Sequence, residues 1–285
     1  SASVSIRPYL KYGGNLAGFN LLNFFSRNVD NLMIGYAWGG GALGIYTKAY
    51  GLLAMPLQQI NGPMTKVMLP VLSLLQGDSQ RYRSYYLKAV GYIIALTFPI
   101  VGFFWASSDF IVLILLGESW MGAVPVFQAL VPAAFISALN VTTGWVYQSR
   151  GTTDRQLKWT LFAAPLHVFA MFLGLKWGAV GVAWGVSFSF CVIRVPYYIY
   201  TYKRTPLLLA DILKLIGKAL CVVLPAGGIT LAMTSYLDQF GTLIGFVFAG
   251  GLYGGTLCAF DILFFRKYGI CGSLFNLKKY ITAIP

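Results

Sequence analysis

Charge is what this chain has least of. Only 10% of its 285 residues are Asp, Glu, Lys or Arg, against about 25% in an ordinary soluble domain. It has eight acidic residues and a single histidine, His167. Such scarcity excludes a solvated globular surface and leaves little material for acid–base chemistry. No paired-carboxylate constellation, nucleophile elbow, phosphate-binding glycine loop or His-Glu-x-x-His stretch occurs. The chain is therefore expected not to be an enzyme, and no cofactor is expected. A membrane glycosyltransferase or polymerase would also need a sizeable polar domain or a large extracytoplasmic loop, and neither is present. The four cysteines, Cys191, Cys221, Cys258 and Cys271, show no metal-ligand spacing. They read as isolated packing thiols without disulfides.

What is present is apolar. Hydrophobic residues make up 58% of the chain, and the mean hydropathy is +0.70. This composition implies an all-α, polytopic transmembrane helix bundle. Eight segments are each long enough to cross a hydrocarbon core, which takes about 20 residues. They lie at 11–36, 42–72, 84–106, 121–148, 156–175, 178–201, 212–235 and 241–265. The 32 glycines suit close helix packing in lipid. Gly181 with Gly185, and Gly241 with Gly245, Gly250 with Gly254 and Gly251 with Gly255 form small-xxx-small pairs, read as packing within the bundle, with dimerisation as the alternative.

The net charge of +13 is a topology signal rather than a nucleic-acid footprint. Of the 21 lysines and arginines, 16 fall in, or at the span edges beside, the N-terminal tail, every second connection and the C-terminal tail. Asp109, Glu118 and Asp238 fall in the intervening connections. By the positive-inside rule the basic side, and both termini, face the cytoplasm. The chain opens Ser1-Ala2-Ser3 without Met or a signal peptide, which points to a start inside a longer protein or after an exchanged N-terminus. Residues 107–120 are apolar but too short to span, so they read as an interfacial helix with Trp120 at the headgroup level.

Polar residues inside the apolar segments carry the functional expectations, since each is expensive in lipid. Asn20, Asn23, Arg27, Asp30 and Asn31 share one helical face of the first span. Asp30 sits about 9 Å below the outer end of that span, and Lys48 lies at similar depth on the second. An Arg27–Asp30–Lys48 cluster of net positive charge follows. It suits an anionic headgroup, because the Arg fork donates bidentate bonds to phosphate oxygens. The alternative is an ion-pair lock between the two helices. Gln59 and Lys66 continue the line on the face of Lys48. Pro56, Pro63 and Pro70 recur every seven residues, and the second span is expected to be broken. Pro125 and Pro132 repeat the spacing in the fourth span. Arg194 and Asp261 read as interfacial. His167 reads as a packed, hydrogen-bonded histidine, with a proton relay as the alternative.

Several stretches resemble one family. Ser26-Arg27-Asn28-Val29-Asp30-Asn31-Leu32-Met33-Ile34-Gly35 is similar to the start of the C-terminal half of Wzx-type polysaccharide flippases. Ala42 to Tyr50, Val67-Met68-Leu69-Pro70, Leu116-Gly117-Glu118-Ser119-Trp120, Thr143-Gly144-Trp145 and Gly151-Thr152-Thr153-Asp154 extend the likeness over most of residues 10–200. The resemblance implies the fold of the multidrug/oligosaccharidyl-lipid/polysaccharide (MOP) exporter superfamily, in which two six-helix lobes enclose a cavity. Residues 1–205 would be the second lobe, and residues 206–285 two additional helices with a basic tail. The N-terminal lobe would then be a partner outside this chain. The implied activity is flipping undecaprenyl-pyrophosphate-linked oligosaccharide across the bacterial inner membrane for surface polysaccharide assembly. Implied partners are the lipid-linked oligosaccharide, membrane lipids and the polysaccharide polymerase machinery. In that reading Arg27 and Lys48 meet the headgroup. Asn23, Asn31 and Gln59 meet sugar hydroxyls, and Asp30 is the ion-coupling candidate. The alternatives are an ion-coupled multidrug exporter of the same superfamily and a non-transporting scaffold or half-transporter.

Overall fold

The computed structural model describes residues 6–265, without the side chains of residues 7–9, 27, 235, 238, 264 and 265. Cys271 and the basic tail residues Arg266, Lys267, Lys278 and Lys279 lie outside the described residues. Every regular element described is a helix: α1 Arg7–Leu74, α2 Ser79–Ala106, α3 Ser108–Leu116, α4 Ala123–Ser137, α5 Asn140–Ser149, α6 Thr153–Gly174, α7 Gly178–Tyr202, α8 Leu209–Leu237 and α9 Thr242–Phe265. The chain is thus the all-α bundle expected of its composition.

Helix α1 is two of the expected spans joined. Its single non-helical residue is Gly39, at φ 79° and ψ −179°. That conformation is reserved almost entirely for glycine, because a Cβ would collide with the backbone. The chain folds back there. Leu43 lies against Gly35, and the Tyr46 hydroxyl donates to Asp30 Oδ2 at 2.7 Å. The two arms, 7–38 and 40–74, therefore pack antiparallel. The expected break in the second span is absent. Residues 40–74 stay helical through Pro56, Pro63 and Pro70, because these prolines share a face turned away from the first arm. Gly62, Pro63 and Pro70 are exposed there.

The fourth span breaks instead, six residues beyond Pro132. Leu139 and Thr142 bond to carbonyls three residues back rather than four. Ser137, Thr142 and Thr143 turn their hydroxyls onto nearby carbonyls. Hydroxyls used in this way compete with the helical ladder and loosen it.

Five helical segments are long and apolar enough to cross a membrane: Ser79–Ala106, Ala123–Ser149, Thr153–Tyr202, Leu209–Thr234 and Thr242–Leu263. The fourth-span break lies within one of them, and Thr153–Tyr202 holds the α6/α7 pair. Neither arm of α1 qualifies, since its polar residues dilute the apolar ones. Helices α6 and α7 fold into a hairpin around Gly178, and a Cβ at Gly181 would lie 2.1 Å from the Gly174 carbonyl oxygen. At Gly185 it would lie 2.5 Å from that of Ala170. The Gly181/Gly185 pair thus serves intrachain packing. Gly251, Gly254 and Gly255 meet nothing within 4 Å, so the packing expected of them is not made. Cys191, Cys221 and Cys258 are exposed rather than packed inside the bundle.

Hydrogen bonds gather the connections into two groups. Gln76 and Tyr82 bond Ser149, Tyr12 bonds Gln148, and Arg150 and Arg155 bond carbonyls of residues 200–204. These are the basic connections. Trp38 bonds Leu175 at the opposite end, where Lys48 also stands 5.7 Å over Trp120. The basic connections that alternate along the chain are therefore gathered at one end in space. Helix α8 lies along α2, tied by Arg83 Nη2 to Asp211 Oδ2 at 2.6 Å, and α9 packs on α8 and α3.

Candidate functional site

The arms of α1, with α5, α6 and α7, surround a cavity of about 400 Å³. Each helix contributes residues at helical spacing. The first arm presents Phe19, Asn23, Ser26 and Asp30; α6 presents Gln156, Thr160, Ala163, His167 and Met171; α7 presents Val186, Phe190, Ile193, Arg194 and Tyr197. The break between α4 and α5 brings Asn140 and Thr143 to the wall. Irregular backbone inside a membrane survives where it is buried or lines such a space.

The first-arm stripe is rotated from the one expected. Asn23 and Asp30 face the cavity, joined by Ser26, whereas Asn20 is exposed and Asn31 stands outside the lining. Asn31 contributes its backbone N–H, which donates to Asp30 Oδ1 at 2.8 Å. Asp30 is 5% exposed, and each of its oxygens accepts a hydrogen bond. Arg27 lies on the helix between these residues, but its side chain is outside the described set.

The expected cluster with Lys48 does not form. Tyr46 and Lys48 are two residues apart, about 200° around a helix. When Tyr46 turns to Asp30, Lys48 must turn away, and it caps the Trp120 ring instead. Gln59 and Lys66 do share the Lys48 face, as their spacing requires, and both are exposed outside the cavity. The second arm offers Tyr50 and Thr65 to the lining. Thr65 Oγ1 accepts from Trp145 Nε1 at 3.0 Å and donates to the Asn61 carbonyl at 2.8 Å.

Much of the wall comes from residues that sequence reading did not assemble: Gln148, Gln156, Trp145, Trp159, Arg194 and Tyr197. In the sequence, Thr143-Gly144-Trp145 carries only the family likeness. A Cβ at Gly144 would lie 3.7 Å from Gln148 Nε2 and 3.9 Å from Gln156 Nε2, so the two amides converge there. Arg194, expected at the interface, is buried, and so is Asp261. The Arg194 guanidinium lies 4.9 Å over the Tyr198 ring and 5.4 Å over that of Tyr197. His167 is packed as expected, with Nδ1 2.9 Å from Ser189 Oγ and its ring 5.0 Å from Phe190. It also faces the cavity. Polar groups on several apolar helices are weak signals one helix at a time, and only their i, i+4 recurrence marks the shared face. Among the described residues no group of histidine, cysteine or acidic side chains could hold a metal ion.

Comparison with known proteins gives these features a context. Residues 2–125 match the model of the family described as polysaccharide biosynthesis protein. The chain is 25% identical over 199 residues to the lipopolysaccharide biosynthesis protein WzxC of Escherichia coli (strain K12), covering 70% of this chain and 40% of that protein. It is 26% identical over 180 residues to the teichuronic acid biosynthesis protein TuaB of Bacillus subtilis (strain 168), covering 63% and 37%. It is 25% identical over 197 residues to the amylovoran biosynthesis protein AmsL of Erwinia amylovora, covering 67% and 50%. The chain thus spans half or less of the length of these relatives, and none of them is named as an enzyme. No solved structure matches. The likeness read from residues 26–35 therefore stands: this multi-pass membrane chain resembles Wzx-type polysaccharide flippases, and its residues 2–125 match the model of the polysaccharide biosynthesis protein family.

Proposed function

We propose that this chain is the second lobe of a polysaccharide-related transporter, one that flips a lipid-linked oligosaccharide from the cytoplasmic to the outer leaflet of a bacterial inner membrane. One observation carries the reading: a cavity lined by amides, hydroxyls and aromatic rings lies inside an apolar helix bundle. Polar lining at membrane depth is costly unless it serves a polar cargo or an ion path. Amides and hydroxyls are what sugar hydroxyls need, and aromatic rings suit the apolar faces of sugar rings.

In this reading Asn23 meets the glycan inside the cavity. Arg27 holds the pyrophosphate, with Asn31, Lys48 and Gln59 on outward faces of α1 that the first lobe would cover. Residues 206–285 are accessory helices on the far side of α2. The basic end faces the cytoplasm. A multidrug exporter for cationic compounds would want a free carboxylate in the cavity. Asp30 is already engaged by Tyr46 and Asn31, and the other strong charge there is Arg194.

A flipping assay on the full-length protein tests the reading. Arg27→Ala is expected to lower export of polysaccharide roughly tenfold or more, the worth of a charge-assisted hydrogen bond. Unchanged export removes Arg27 from the headgroup role. Asp30→Asn is expected to abolish dependence on a proton or sodium gradient. A variant that still responds to the gradient removes Asp30 from coupling.

A further inference from the structure

The charged groups of the cavity are not equally satisfied. Asp30 accepts two hydrogen bonds. Arg194 is 9% exposed, and its Nε and Nη2 have no hydrogen-bond partner among the described residues. The ion pairs found among those residues, Arg81–Asp78 and Arg83–Asp211, both lie away from the cavity. A buried lysine can shed its proton, but a guanidinium cannot, so Arg194 stays charged. Stacking on two tyrosine rings eases part of that cost and supplies no acceptor. A second buried group is in the same state. Gln156 is 1% exposed, and its Oε1 has no donor among the described residues.

We propose that this cavity is a binding site for an acidic sugar, with Arg194 receiving a carboxylate oxyanion and the amides receiving the ring hydroxyls. The two unbonded Arg194 nitrogens are covered in this structure. Presenting them takes a turn of the guanidinium, which no hydrogen bond from those atoms opposes. Once turned, the planar fork matches a carboxylate in bidentate geometry. Gln148 and Gln156 converge beside Gly144 on the same wall, and Trp159 and Asn140 complete it. The volume of about 400 Å³ falls in the range of small-ligand pockets. It suits one or two sugar rings and not a polyprenyl tail. The inference rests on the transport reading for its sugar and on Arg194 alone for its charge. It names the charge class of the glycan and assigns a contact separate from the headgroup contact of Arg27.

Titration of the purified protein in detergent micelles with glucuronate, glucose and inorganic phosphate, followed by calorimetry, tests it. Glucuronate is expected to bind saturably, and glucose roughly tenfold or more weakly, the worth of a hydrogen bond to a charged group. Arg194→Gln is expected to erase the difference, and Arg194→Lys to restore part of it. Gln148→Glu places a carboxylate in the same cavity, so it should weaken glucuronate severalfold more than it weakens glucose. That arm decides the matter if Arg194→Gln does not fold. Equal binding of glucuronate and glucose, or an unchanged Arg194→Gln, overturns the proposal. Phosphate binding as well as glucuronate, with no glucose binding, overturns its sugar half and leaves a plain anion site. The transport reading is judged separately. Flipping of a neutral glycan without glucuronate binding sinks this site alone, whereas glucuronate binding in a protein that flips nothing sinks only the reading.

Discussion

The Asp30–Tyr46 contact decides how the first two spans meet. A carboxylate 5% exposed in an apolar bundle needs donors. It has one from the opposite arm and one from the next residue of its own. Removing the Tyr46 hydroxyl strips half of that support and leaves the ring in place. Tyr46→Phe is expected to cost about 1.5–3 kcal/mol, the range for a hydrogen bond to a charged group. Tyr50→Phe, at a ring 37% exposed, is expected to cost less. Chemical unfolding in detergent micelles measures both, and a Tyr46→Phe protein as stable as its parent would remove the contact from the fold's support. Sequence spacing identifies Asp30 but groups it with Arg27 and Lys48. Charge complementarity favours the contact with Lys48, and the 200° turn from Tyr46 to Lys48 forbids it.

At the scale of elements, the device that matters is the fold-back at Gly39. The run Gly39-Gly40-Gly41 reads as a loop between spans, yet only Gly39 leaves helical geometry. The three residues are therefore not equivalent. Gly39→Ala forces a Cβ into a glycine-only conformation and is expected to destabilise by about 1–3 kcal/mol. Gly40→Ala sits in helix with nothing within 4 Å of its Cβ, and is expected to stabilise by about 0.4–1 kcal/mol. Thermal unfolding of the two variants side by side checks this, and equal effects would contradict the turn. The prolines teach the opposite lesson. Pro132 and the three prolines of α1 leave their helices unbroken, while a run of hydroxyl residues beyond Pro132 breaks one. Pro at seven-residue spacing keeps its missing donors on one face, where the helix can bend without opening.

For the whole molecule, the basic connections gather at one end of the bundle. The connections carrying Arg81, Arg83, Arg150, Arg155, Lys203 and Arg204 are bonded together at one end, and Trp38, Lys48 and Trp120 lie at the other. If the basic end is cytoplasmic, a cysteine at Ser79 in a cysteine-free background should resist a membrane-impermeant thiol reagent applied to intact cells. One at Glu118 should react. Labelling at Ser79 with protection at Glu118 would invert the orientation. Helices α8 and α9 are attached on the side of α2, away from the cavity wall made by α1, α5, α6 and α7. The bundle therefore has a cavity side and a side covered by α8 and α9.

The sequence by itself determined the class of this protein. Apolar runs of membrane-crossing length, and basic residues in alternate connections, are local properties that no packing can reverse, and the helices lie within a few residues of where those runs place them. The likeness to polysaccharide flippases was legible for the same reason, since its motifs are contiguous. Only the tertiary structure decided which polar residues meet. A helical face is set by spacing, but the direction in which it points is set by its neighbours. So Asn23 and Asp30 turned inward, Lys48 and Gln59 turned outward, and Gln148, Gln156, Trp159 and Arg194, from three consecutive helices far from α1 in the chain, line the rest of the cavity.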